Sequence, residues 1–140
     1  LQEQEFVVPD FDVTSGISGT WYDPERSGEG FMIDVARDGL VAVSYYTYDT
    51  MGQQMWLVGA GTLNGNTVEI EFELTDGGNY GSNFNPLTVN RYEWGTGIFT
   101  FSSCYYGKVQ IIPNQDYSDV FEALTIYISR LTYPELCGDE

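Results

Sequence analysis

Val68, Ile70, Phe72 and Leu74 alternate with Glu69, Glu71 and Glu73. A period of two puts four apolar side chains on one face of a strand and three carboxylates on the other, so that one face packs inward and the other meets water. Shorter runs of strand-forming residues recur along the chain. Turn signals at Asp38-Gly39, Met51-Gly52, Asn64-Gly65 and Gly77-Gly78 separate them. The pattern predicts strands over 17–22, 29–37, 40–48, 54–61, 67–74, 87–94, 97–103, 106–112 and 121–131, and no amphipathic helix. The longest irregular stretch is TDGGNYGSNFNP, Thr75 to Pro86. Many short strands joined by tight turns predict an all-β antiparallel meander of about eight strands, closed as an up-and-down barrel or folded as a barrel-like sandwich. Residues 1–10 read as a loose tail and 11–140 as a single domain.

Register decides what such a fold can bind. A two-residue turn at Asp38-Gly39 pairs Arg37 with Leu40, and therefore Val35 with Ala42, Ile33 with Ser44, Phe31 with Tyr46 and Glu29 with Tyr48. If Phe31, Ile33 and Val35 face the core, Ser44, Tyr46 and Tyr48 face it too, with Glu29 at the rim. That is an apolar floor with a few placed polar groups, the usual make-up of a small-molecule pocket. The candidate ligand-binding set is Trp21, Glu29, Ser44, Tyr46, Tyr48 and Trp56. The competing reading is ordinary sheet packing: tyrosines pair across strands and wet their hydroxyls at the edge, and Arg26 and Glu29 form a loop ion pair. A third reading places Tyr45, Tyr46, Tyr48, Tyr105, Tyr106 and Trp94 on the outside as a recognition surface for a glycan or a protein, because tyrosine offers contact area at low entropic cost.

Charge narrows the partners. Five Lys and Arg against 21 Asp and Glu leave a net charge of −16. Such a surface repels phosphate backbones and anionic lipid, so nucleic acid and membrane insertion are not expected. With 16% aromatic residues the chain has the means to fold rather than stay disordered. No histidine is present, which removes Ser-His-Asp and Cys-His catalysis and histidine-ligated metals. Asp23, Glu25 and Glu29 cluster, but among 21 acidic residues this is weak ground for paired-carboxylate hydrolysis. DGGNYGSN, from Asp76, has the look of a calcium loop, yet its twelfth position is Leu87 rather than Glu, so it is no EF-hand. The sequence therefore predicts no enzyme activity, no cofactor and no metal. It predicts a binding module for a small molecule, a glycan or a protein.

The two cysteines are Cys104 and Cys137. Paired, they close a loop worth roughly 3–4 kcal/mol in the chain-entropy model and imply an oxidising compartment, secreted or periplasmic. The alternative is two unrelated buried thiols. The opening LQEQEFVVPD reads as a polar tail left by signal cleavage or as an arbitrary boundary.

Four segments occur in order: GTWYDPERSGEGF, VSYYTYDTMGQQMWLVGAG, FTFSSCYYGKV and ISRLTYPELC. In these the chain resembles a domain found in secreted proteins of bacteria. The resemblance implies secretion and the two-cysteine arrangement, and lends no activity. GISGTWY, Gly16 to Tyr22, is similar to the opening strand of avidin-type barrels, although Asp23 stands where that family has Asn and Trp56 and Trp94 have no assigned place in a biotin pocket. A Gly-x-Trp in the first strand is also similar to lipocalin-like barrels, in which the Trp plugs the barrel end; this is the role expected of Trp21. Thiol titration of the oxidised protein in denaturant checks the cysteine pairing: no free thiol is the expected count, and two would remove the bridge.

Overall fold

The computed structural model describes residues 13–133. Eight strands run antiparallel in chain order: β1 (Gly19–Tyr22), β2 (Gly30–Val35), β3 (Leu40–Tyr48), β4 (Gln54–Asn64), β5 (Thr67–Asp76), β6 (Asn90–Phe101), β7 (Tyr106–Pro113) and β8 (Leu124–Arg130). Each pairs with the next, and β1 also pairs with β8, so the meander closes into a barrel. The stretches expected as two strands over 87–94 and 97–103 form the single strand β6. It stays continuous because a bulge opposite Phe72 and Glu73 absorbs the change of register near Gly95. The loose tail expected over residues 1–10, and Cys137, lie outside the described residues.

Alternation fills the barrel. Val41, Val43 and Tyr45 of β3, Met55 and Leu57 of β4, and Val68, Ile70 and Phe72 of β5 are buried, with their neighbours in the sequence turned outward. Aromatic rings occupy the centre. Phe31 stacks on Tyr45 at 4.4 Å, meets Phe99 edge-on at 5.3 Å, and Phe72 bridges Tyr45 and Phe99. Offset and edge-on contacts of this kind add stability beyond the area they bury. On β4 the inward positions continue as Gly59 and Gly61, where a Cβ would stand 2.2 and 2.0 Å from the Glu71 and Glu69 carbonyl oxygens. Only glycine lets β4 lie this close to β5.

The two ends of the barrel differ. Connections β2–β3, β4–β5 and β6–β7 are short and lie at the end where β1 begins. Residues 23–29, 49–53, 77–89 and 114–123 make the longer connections at the opposite end. A 3-10 turn, Ser15–Ile17, covers the first end, with Gly16 and Ile17 buried. Trp21 is fully buried beneath it and its indole N–H donates to the Ile17 carbonyl at 2.8 Å. Arg130, at the end of β8, lies with its guanidinium carbon 4.7 Å from the centre of the Trp21 ring. That guanidinium donates to the carbonyls of Gly16, Ile17, Ser18 and Thr132. It is 3% exposed and has no carboxylate partner among the described residues. Burial lowers its pKa, but a guanidinium keeps its proton, and four carbonyl dipoles and the indole face balance the charge.

Removing that fork takes the charged donor from all four carbonyls, of which Ile17 alone keeps the Trp21 indole N–H. Arg130→Met is expected to cost on the order of 3 kcal/mol. Arg130→Lys should recover only part of this, because an ammonium cannot serve spread carbonyls and stack on a ring at once. Denaturant unfolding of the three proteins checks the order wild type, Lys, Met; equal midpoints would contradict it.

Candidate functional site

The β2–β3 turn sets the site. Ala36 N–H donates to the Leu40 carbonyl at 2.7 Å, leaving Arg37, Asp38 and Gly39 as a three-residue loop. Asp38 (φ 62°) and Gly39 (φ 76°) both adopt the left-handed region, which Asp and Gly tolerate best. The expected two-residue turn is therefore corrected by one residue. Val35 opposes Val41, Ile33 opposes Val43 and Phe31 opposes Tyr45, in place of Ala42, Ser44 and Tyr46. A shift of one turns every side chain to the other face. Tyr45 is in the core, and Ser44, Tyr46 and Tyr48 are on the outer wall.

On that wall β3 and β4 bring aromatic residues together. Tyr46 is directly opposite Trp56, and Tyr48 opposite Gln54. Tyr46, Tyr48 and Trp56 are 43%, 45% and 56% exposed. With Gly28, Thr47, Gln54 and Met55 they line an open groove of about 500 Å³ that runs over the rim at the long-loop end. The Tyr46 hydroxyl donates to the Met32 sulfur, and Met32 is itself half exposed on β2. The Tyr48 hydroxyl donates to the Gly28 carbonyl at 3.0 Å. Gly28 (φ 112°) thereby ties the 23–29 loop to the groove's edge.

That loop, DPERSGE, is built from its own polar groups. The Asp23 carboxylate caps the 3-10 turn Pro24–Arg26 by accepting from the Glu25 N–H. Glu29 accepts from Arg26 Nε with one oxygen and from the Thr47 hydroxyl, at 2.7 Å, with the other. This hydrogen bond and the charge of Glu29 raise the Arg26 pKa. Glu29 is therefore engaged in holding the rim. The candidate residues consequently divide. Tyr46, Tyr48 and Trp56 meet at the groove. Ser44, half buried, stands on the same wall between Met32 and Val58. Glu29 lies behind the rim, and Trp21 is buried at the closed end. Of the tyrosines and tryptophan assigned to an outer recognition face, Tyr45 and Trp94 are buried instead, Trp94 against Tyr117 and Phe121.

Gln54, Thr47 and Met32 belong to the site and were not singled out from the sequence. A correct β3 register would have brought in Met32 with Tyr46 on the outer wall, and placed Thr47 with Tyr45 on the inner face where the groove turns over the rim. Arg130 was also missed, although it follows Ile126 and Ile128 at alternate positions and so had to turn inward. Beside the 77–89 connection, at the end of β5, the Asp76 carboxylate accepts from Asn90 and Tyr92 of β6, and no cluster of metal-ligating side chains occurs among the described residues. No family model matches the chain, and no curated protein or solved structure matches it.

Tyr45 connects the rim to the core. Burial, and then the charge of Glu29, push its pKa up from 10.0 to about 12. The folded state thus keeps a proton that the unfolded chain releases between pH 10 and 12. Its contribution to stability is complete below pH 10 and is lost as pH rises through that window, to a total of up to about 3 kcal/mol. Unfolding midpoints measured across pH 9–12 should fall less steeply for Tyr45→Phe than for the wild type.

Proposed function

We propose that this chain is a secreted, non-catalytic binding module that recognises its ligand on the outer wall of the barrel, at the β3–β4 groove. One observation carries the reading: Tyr46 and Trp56 oppose each other, half exposed, on the wall of an open groove, while rings already occupy the barrel's centre. A large apolar side chain left in water on a strand that also feeds the core contributes little to folding. It is well placed to contribute to association, where Trp and Tyr supply most of the contact energy. The size of the groove and its mix of aromatic rings with one amide and hydroxyls suit a compact ligand or the anchor of a larger one. Glycan and protein partners both fit this description; a small molecule held in the barrel interior does not.

Trp56→Ala and Tyr46→Ala are expected to change stability by no more than about 0.5 kcal/mol, as for other surface positions, and to weaken binding about tenfold or more in a panel of glycans and peptides. Tyr45→Ala, the buried neighbour, should cost about 3 kcal/mol or more. Thermal unfolding beside the binding panel separates the roles. A Tyr46→Ala protein as destabilised as Tyr45→Ala, or a ligand indifferent to both surface changes, would overturn the reading.

A further inference from the structure

We propose that the groove seats a basic segment of a partner protein: an extended stretch with Lys or Arg at alternate positions beside an apolar or aromatic anchor. This rests on the reading of the β3–β4 wall as a recognition surface and names the partner that surface fits.

The groove itself favours a cation. Trp56, Tyr46 and Tyr48 line it, and an aromatic ring attracts an ammonium or guanidinium to its face, Trp most strongly. None of the chain's own five cations occupies that role. Arg26 is bound to Glu29, Arg91 lies beside Glu73, and Arg130 is buried at the closed end. Arg37 is in the β2–β3 turn at that same closed end, and Lys108 lies on β7 between Thr100 and Tyr127.

The register then gives the partner a path. From the Tyr46–Trp56 pair, the next outward row runs Ser44, Val58, Glu73, and the row after it Ala42, Ala60, Glu71. Small side chains thus separate the aromatic groove from the outward carboxylates of β5, Glu69, Glu71 and Glu73. These repeat every second residue, about 6.8 Å apart, the spacing of alternate side chains on an extended chain. Glu69 and Glu71 have no salt-bridge partner among the described residues, and Glu73 meets Arg91 at 3.6 Å with both side chains exposed, a pair that exchanges readily. β3, β4 and β5 are each paired on both sides, so this face offers no strand edge for β-addition. The partner has to lie across the face and bind through side chains. The net charge of −16 steers a basic segment toward this surface and an acidic one away. A neutral glycan would use the rings and ignore β5.

The test is fluorescence anisotropy of the full chain with a labelled peptide of about twelve residues, alternating Lys with Ser and Thr and ending in Trp-Leu. Three probes serve as comparators: the same peptide with Glu for Lys, spermine, and a neutral N-acetylglucosamine hexamer. The basic peptide should bind, more weakly as salt is raised. Trp56→Ala should weaken it about tenfold, and the double variant Glu69→Gln/Glu71→Gln about threefold. Binding by the hexamer alone, lost in Trp56→Ala, would overturn the basic partner and leave the recognition surface standing. Basic-peptide binding that ignores both variants, or spermine binding as tightly as the peptide, would mean general attraction to a polyanion and overturn the proposal. No binding by any probe at millimolar concentration would overturn the proposal and the recognition reading together.

Discussion

Closure of the barrel depends on one buried guanidinium. β1 is only four residues long and meets β8 through two pairs, Trp21 with Arg130 and Tyr22 with Ser129. So short a seam has few ladder hydrogen bonds to hold it. Arg130 supplies what the ladder lacks. Its planar fork draws in three carbonyls from the 3-10 turn and its C-cap and one from Thr132, while its flat face covers Trp21. The charge is tolerated without a carboxylate because carbonyl dipoles surround it. Gly19 belongs to the same arrangement, since a Cβ there would stand 2.8 Å from Arg130 Nη2. The opening GTW and the late ISR are distant in sequence and form one structural unit.

Sealing one end leaves variation to the other. The four longer connections gather at the end away from Arg130, and two of them flank the groove. Three of the four charged side chains of the 23–29 loop are engaged locally: Asp23 on a cap, Arg26 and Glu29 on each other, and Glu29 also on Thr47 of β3. What it presents to the groove is the Gly28 backbone, bound by Tyr48. This loop, polar as it looks, therefore braces the aromatic wall and leaves the wall to make contact. The filled interior has the same consequence. With Phe31, Tyr45, Phe72 and Phe99 in mutual contact, the barrel core is committed to stability, and the chemistry available for recognition lies outside.

Some of this was legible in the residues and some was not, for identifiable reasons. β5 reads unambiguously because VEIEFEL alternates apolar with charged, so its faces, and the carboxylate ladder on the outer one, follow from a period of two. β3 does not. In LVAVSYYTY both alternating sets are largely apolar or aromatic, so hydrophobicity cannot say whether Tyr45 or Tyr46 turns inward. Arg130 illustrates the opposite difficulty. Its inward position follows from alternation, but a charge pointing into a core is only explicable once the carbonyls that receive it are in place.

The sequence by itself determined an all-β antiparallel meander, because alternation and turn residues are local properties, and it determined the acidic surface, because charge is a count. Only the tertiary structure decided that the meander closes, since closure joins residues near 20 to residues near 130. Only it decided which tyrosines are buried. That choice rests on a single extra residue in the β2–β3 loop, allowed by left-handed backbone at Asp38 and Gly39, and in a strand one residue is the whole difference between the core and the solvent.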